Sequence, residues 1–270
     1  MGAIDVWAQV TTPRMAQSRV FESLNRWAGK GDENVGTTVE ATLAAMDEGN
    51  VDISLLAAWH SSQGDLITNE ELIEQIETAP DRFRGLATVD LTRPMESVRR
   101  LRELAQHDQI VGVRVVPWMW DLPPNDRRYY PIYAACIDLG LPFCTQIGHT
   151  GPLRTSETGK LIPYLEDVLL DFPELVVVGG HVGFPWVNDV ISMTVKFPNF
   201  YVDTSAYALH RLPPDFVAYM KTVGRKRVMF GTNWPMIPPA KCLAGLDGLS
   251  LDDEAKGDFL SGVARKVFKL

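Results

Sequence analysis

Short apolar runs recur along the chain at Ala3–Ala8, Val51–Ala58, Gly85–Val89, Ile110–Val116, Leu141–Ile147, Leu175–Val178, Phe200–Val202 and Arg227–Phe230. Most are rich in Val, Ile, Leu or Phe without polar alternation, as strands buried on both faces should be. Amphipathic stretches lie between them, at Asn69–Glu77, Pro94–His107, Pro131–Leu139 and Ile162–Leu170. In the second of these, Leu101 and Leu104 flank Arg102 and Glu103 at helical spacing. Gly140 reads as a helix stop, with Pro142 opening the next strand. Eight strand candidates alternating with helices predict a parallel sheet, because parallel neighbours need a crossover. Their number and the chain length fit a (β/α)8 TIM barrel of about 250 residues. An open doubly wound sheet would carry a G-x-G-x-x-G turn after its first strand, and none follows Ala3–Ala8. The chain reads as one domain over residues 1–270. The segment Val10–Gly36 is too long for a turn and reads as an insertion, a lid over the barrel mouth or an oligomer contact.

Composition narrows the function classes. Of 270 residues, 46% are hydrophobic and 22% charged, ordinary for a globular protein. With 26 basic and 34 acidic side chains the net charge is −8, which disfavours nucleic acid as a partner. No apolar run approaches the roughly 20 residues of a membrane span. Three cysteines without metal-ligand spacing fit a reducing, cytoplasmic setting.

Active sites of such barrels lie at the carboxyl ends of the strands. Those ends carry Asp5, Trp7 and Gln9; Arg114 and Trp118; Gln146 and His149; His181; Asp203 and Tyr207; and Asn233 and Trp234. Imidazole is the side chain whose ordinary pKa lies nearest neutrality, so His181 and His149, with Asp203, form the candidate catalytic set. Trp7, Gln9, Arg114, Trp118, Gln146, Tyr207, Asn233 and Trp234 form the candidate substrate-binding set. The aromatic rings would line a pocket for a flat carbonyl or carboxylate compound, the amides would donate to its oxygens, and Arg114 would pair with a carboxylate. Each has a plainer reading. The tryptophans pack loops onto the barrel, His149 bonds the next loop, Arg114 joins a barrel-interior ion pair, and Asp203-Thr204-Ser205 braces backbone.

Ile4-Asp5, Gly140-Leu141-Pro142, Gly180-His181-Val182-Gly183-Phe184-Pro185-Trp186, Phe230-Gly231-Thr232-Asn233-Trp234-Pro235 and Ala264-Arg265-Lys266-Val267-Phe268 together resemble the amidohydrolase-related family of metal-dependent TIM-barrel hydrolases and decarboxylases. The resemblance covers nearly the whole chain and implies a hydrolase or carbon–carbon lyase. It also implies metal ligands as His-x-His after strand one, a His after strand five and an Asp after strand eight. Those positions hold Trp7 and Gln9, Gln146, and Asn233. Neutral amides bind zinc weakly and bring no charge to offset a dication. The expectation is therefore an enzyme with altered or absent metal dependence, no cofactor, a small-molecule substrate and self-association as a homodimer. The alternatives are a catalytically silent barrel that binds a small molecule or partner, and a conventional zinc hydrolase.

Overall fold

The computed structural model describes residues 2–27, 29 and 35–270. Eight parallel strands form one sheet in chain order: β1 (Ala3–Ala8), β2 (Val51–Ala57), β3 (Phe83–Ala87), β4 (Ile110–Arg114), β5 (Phe143–Gln146), β6 (Val177–Gly180), β7 (Phe200–Asp203) and β8 (Val228–Met229). The ends of the sheet meet. Val6 N donates to Phe230 O (3.1 Å), Asn233 N to Trp7 O (2.8 Å), and Ala8 bridges to Trp234 in parallel. The result is the TIM barrel that the strand pattern predicts. Every strand lies within two or three residues of its apolar run. The largest offset is two residues, as in β3, which starts at Phe83 instead of Gly85, and in β6, which starts at Val177 instead of Leu175.

Helices cover the outside. Asn69–Thr78 starts at a capping box, with the Thr68 hydroxyl accepting from Glu71 N and Glu71 accepting from Thr68 N. Helix Tyr130–Leu139 ends at Gly140, whose φ of +64° is the left-handed stop a glycine supplies at no steric cost. Phe143, on the outward face of β5, packs edge-on against Tyr133 and Tyr129. One element was not anticipated from sequence, an antiparallel hairpin of Trp59–Ser61 and Gly64–Ile67 after β2.

The insertion begins with helix Pro13–Ala16, capped by Thr12, and continues through Arg19–Phe21 into Glu22–Trp27. The Phe21 ring stands edge-on to Trp59 (6.2 Å) and Trp118 (6.1 Å), and Leu24 approaches Gly151. The segment thus crosses the loops after β2, β4 and β5. Thr11 and Thr37 close its base through Thr37 N to Thr11 O (3.0 Å). Residues 28 and 30–34 of this insertion lie outside the described residues. Among the described residues no helix is long and apolar enough to cross a membrane.

Candidate functional site

The carboxyl ends of the strands enclose a layered polar cluster. Trp7, from β1, is completely buried at the top of the barrel. The Arg114 guanidinium, from the end of β4, stacks 3.9 Å from the indole centroid, and the His181 ring lies 4.6 Å away. The inward face of β6 makes room for the indole. A Cβ on Gly180 would sit 2.2 Å from the ring, so only glycine fits there.

Arg114 is 1% exposed and donates once, from Nη2 to Val6 O (2.8 Å); its Nε and Nη1 have no partner among the described residues. Burial lowers its pKa to about 10, which leaves it charged at neutral pH. Asp203, at the end of β7, is equally buried. Its Oδ1 accepts from Ser205 N (2.9 Å) and from the Ser205 hydroxyl, while Oδ2 is unpartnered among the described residues. Burial raises the carboxyl to about 6, against the lowering effect of these bonds and of Arg114. The chain of contacts continues to His181, whose Nδ1 lies 2.6 Å from Ser205 Oγ. Burial, reinforced by Arg114, pushes the imidazole down to about 3, so it is neutral at physiological pH even though part of the residue reaches the mouth.

Backbone strain concentrates around this cluster. His181 (φ +75°), Val182 (+61°), Ala206 (+65°) and Asn233 (+69°) all occupy the left-handed region without being glycine. Each costs of order 1–3 kcal/mol, and the β-branched Val182 is the least suited to it. Such strain persists where surrounding structure imposes it, and it clusters at functional sites.

The other sequence candidates are placed differently. Gln146 is spent inside the protein: its Oε1 accepts from Trp118 Nε1 (2.6 Å) and its Nε2 donates to His149 O (2.9 Å). Trp118 is therefore a buried brace, and neither residue presents a free group to a pocket. His149 lends its main chain to this bracing, but its side chain is exposed and 3.4 Å from Ser156 Oγ on the rim, apart from the His181 cluster. Gln9 donates to Trp234 O, and its buried Oε1 lacks a partner among the described residues. Asn233 is half-buried beside it, with its side-chain oxygen 3.5 Å from Gln9 Nε2. Trp234 donates to Thr42 on helix Val39–Glu48, which anchors it to the barrel wall and not to the mouth. Tyr207 is half-buried near Phe184, at the rim (6.4 Å). The reading of Trp7 as a pocket wall is also corrected. With no exposure, its indole plugs the barrel, because glycine at 180 and the flat guanidinium leave it a slot.

Two residues of the cluster were not singled out from sequence. Ser205, named only in the bracing reading of Asp203-Thr204-Ser205, lies in the turn two residues beyond the end of β7, where its N–H reaches Asp203 Oδ1, and that Asp-x-Ser spacing is the signal that could have found it. Thr232 donates to Asp5 through both its N–H (2.9 Å) and its hydroxyl (2.5 Å), across a sequence gap no local pattern reveals. Asp5 also accepts from Trp7 N (3.1 Å), and burial raises its pKa to about 7. A groove at the opposite end of the barrel, between Leu141, Tyr201 and Val267, has only exposed charged residues at its edge (Glu174, Lys266 and Lys269).

The residues present do not fit a divalent metal. Trp7 offers no lone pair for coordination, both ends of Gln146 are engaged, and Gln9 and Asn233 are uncharged amides. Among the described residues no three His, Cys, Asp or Glu side chains converge as a ligand set.

Comparison with known proteins gives this geometry its context. The gamma-resorcylate decarboxylases of Polaromonas sp. and Rhodococcus jostii are 23% and 25% identical to the chain, each alignment covering 75% of both proteins. Among solved structures, an uncharacterised TIM-barrel protein from Bordetella bronchiseptica superposes with a TM-score of 0.83 at 24% identity, covering 100% of this chain and 99% of the other. A 2,6-dihydroxybenzoate decarboxylase complexed with 2,6-dihydroxybenzoate gives 0.77 at 19% identity, covering all of both chains. The Polaromonas dihydroxybenzoic acid decarboxylase, solved with bound manganese and 2-nitroresorcinol, gives 0.73 at 20% identity, covering 100% and 97%. The amidohydrolase family model itself matches residues 4–270. From its first strand to its last helix, then, the chain belongs to the amidohydrolase family.

Proposed function

We propose that this protein is a decarboxylase of small aromatic acids bearing a hydroxyl next to the carboxylate, and that it works without a divalent metal. The observation that carries the reading is the pairing of a fixed buried cation, Arg114, with a neutral imidazole, His181, around the Trp7 ring, with Asp203 behind the imidazole. The gamma-resorcylate decarboxylases among its relatives support the substrate class.

The chemistry asks little of a Lewis acid. Moving the proton of the ortho-hydroxyl to the ring carbon that carries the carboxylate produces a β-keto acid. The C–C bond then breaks, its electron pair returns to the ring as CO2 leaves, and the resulting phenolate takes a proton from water. Arg114 offsets the negative charge that the substrate brings and the phenolate retains. An imidazole with a pKa near 3 is too weak a base alone, but Asp203, near 6, supplies the proton sink behind it.

The test is CO2 release from 2-hydroxybenzoate, 2,6-dihydroxybenzoate and benzoate by chelator-treated protein. Turnover of the hydroxylated acids only, lost in His181→Asn, is the expected result. Failure on the whole panel, or activity that chelation removes and manganese restores, would overturn the proposal.

A further inference from the structure

We infer that Ser205 is a positioning residue that locks His181 in the tautomer with its proton on Nδ1, leaving Nε2 as a bare acceptor for a substrate hydroxyl. Asp203 Oδ1 already accepts from Ser205 N (2.9 Å) and lies 3.5 Å from His181 N. An oxygen receiving N–H donors is the poorer place for an acid proton, so any proton on Asp203 sits on Oδ2, which has no partner among the described residues. The Ser205 hydroxyl therefore donates to Oδ1 whether Asp203 is charged or neutral. A hydroxyl has one hydrogen. With it committed, Ser205 Oγ meets His181 Nδ1 at 2.6 Å only as an acceptor, and Nδ1 must carry the ring's proton.

The surrounding backbone keeps the partners aligned. Val182 N donates to Asp203 O (3.2 Å), tying the strained turn at His181 to the end of β7. Ala206 N donates to Thr232 O (3.2 Å), which fixes the turn that follows Ser205. Ser205 itself is fully buried, so no solvent competes for its hydroxyl. Nε2 makes no hydrogen bond to any described residue, and it is the ring nitrogen left for a ligand.

The consequence is a specificity rule, which rests on the decarboxylase reading above. A bare Nε2 accepts from a phenol O–H and repels a carboxylate oxygen, so it selects acids with a neighbouring hydroxyl and sets which side of the substrate faces β6. As Nε2 takes the hydroxyl proton, the Nδ1 proton passes to Ser205 Oγ and the serine's own proton moves along its existing hydrogen bond to the ionised Asp203 Oδ1, a less favourable resting place than Oδ2 that holds it only until the return step. Reversal of the same three transfers returns a proton from Nε2 to the ring carbon.

The experiment is 15N NMR of histidine-labelled full-length protein at neutral pH, with the His181 signals assigned by their loss in His181→Gln. A protonated Nδ1 and a bare Nε2 are expected in the parent. Ser205→Ala should shift the ring toward the Nε2-protonated form that free imidazole side chains prefer, and Ser205→Thr should restore the parent pattern. A bare Nδ1 in the parent overturns the assignment, whether or not the alanine variant folds, and so does an unchanged tautomer in a folded Ser205→Ala. In turnover of 2,6-dihydroxybenzoate, Ser205→Ala should lower kcat/KM at least tenfold, because Nε2 then presents an N–H to the substrate hydroxyl, and Ser205→Thr should restore it. A predicted tautomer change in a protein that releases no CO2 would confirm the role of Ser205 while removing the decarboxylase reading.

Discussion

Gly180→Ala probes the packing on which the site is built. The new methyl would stand 2.2 Å from Trp7 Cζ3 and 2.5 Å from Cε3, whereas ordinary contact begins near 3.4 Å. The indole must therefore retreat by about 1.2 Å, the difference between 3.4 and 2.2 Å. It has nowhere to go, with the Arg114 guanidinium 3.9 Å from its centroid and the His181 ring at 4.6 Å. Overpacking of this kind costs about 1–3 kcal/mol. For a chain of 270 residues that corresponds to a fall in Tm of roughly 2–5 °C. Backbone angles do not confound the test, because Gly180 is outside the positive-φ region. Chemical denaturation of Gly180→Ala, Trp7→Phe and the double variant measures the coupling. The smaller ring should recover much of the loss, so the double variant should be more stable than the two single effects summed. An unchanged Tm in Gly180→Ala, or strict additivity, would refute the plug.

Three further outcomes follow from the same geometry. The Asp203 carboxyl, raised from 3.8 to about 6, favours its protonated form in the fold, so its contribution is present at low pH and is lost as pH climbs from about 4 to about 6. That amounts to about 3 kcal/mol, so the stability of Asp203→Asn relative to the parent should rise over this interval and then level off; a difference that is flat with pH would contradict the burial argument. Trp118→Phe removes the donor to Gln146 Oε1 and should cost about 1–3 kcal/mol in denaturant unfolding, with a loss below experimental error counting against the brace. Excess manganese or zinc should leave Tm unchanged, because a ligand that binds the native state raises stability with its concentration; a steady rise with log metal concentration would show a ligand set that the amides conceal.

The fold was legible because the signals that specify it are local. Each two-sided strand announces itself as an apolar run, and Gly140 and Pro142 punctuate the chain between helix Tyr130–Leu139 and β5. The hairpin at Trp59–Ile67 was hidden because its apolar residues pack under the insertion, a tertiary contact with no periodic signature. Within the site, the sequence correctly located His181, Arg114 and Asp203 at strand ends, since position along a strand determines which end a residue occupies. Side-chain commitments were not legible. Whether Gln146 faces a ligand or braces Trp118, and whether His149 points inward or to the rim, depends on neighbours contributed by other strands. Trp7 shows the limit most clearly: a glycine on β6, far away in the chain, decides that the indole is a plug.

The contacts between Asp5 and Thr232 also govern how the molecule comes into being. They join residues 227 positions apart, and the bond from Val6 to Phe230 beside them spans nearly as much of the chain. During synthesis the first strand can pair with its second neighbour early, but its other edge must wait until almost the entire polypeptide has emerged. Until then the nascent sheet is an open arc with one unsatisfied border and a carboxyl group lacking its two Thr232 donors. Ring closure is thus the late, high-contact-order event of folding, and lesions at Asp5 or Thr232 should speed unfolding more, and slow folding less, than equally costly lesions within the middle strands.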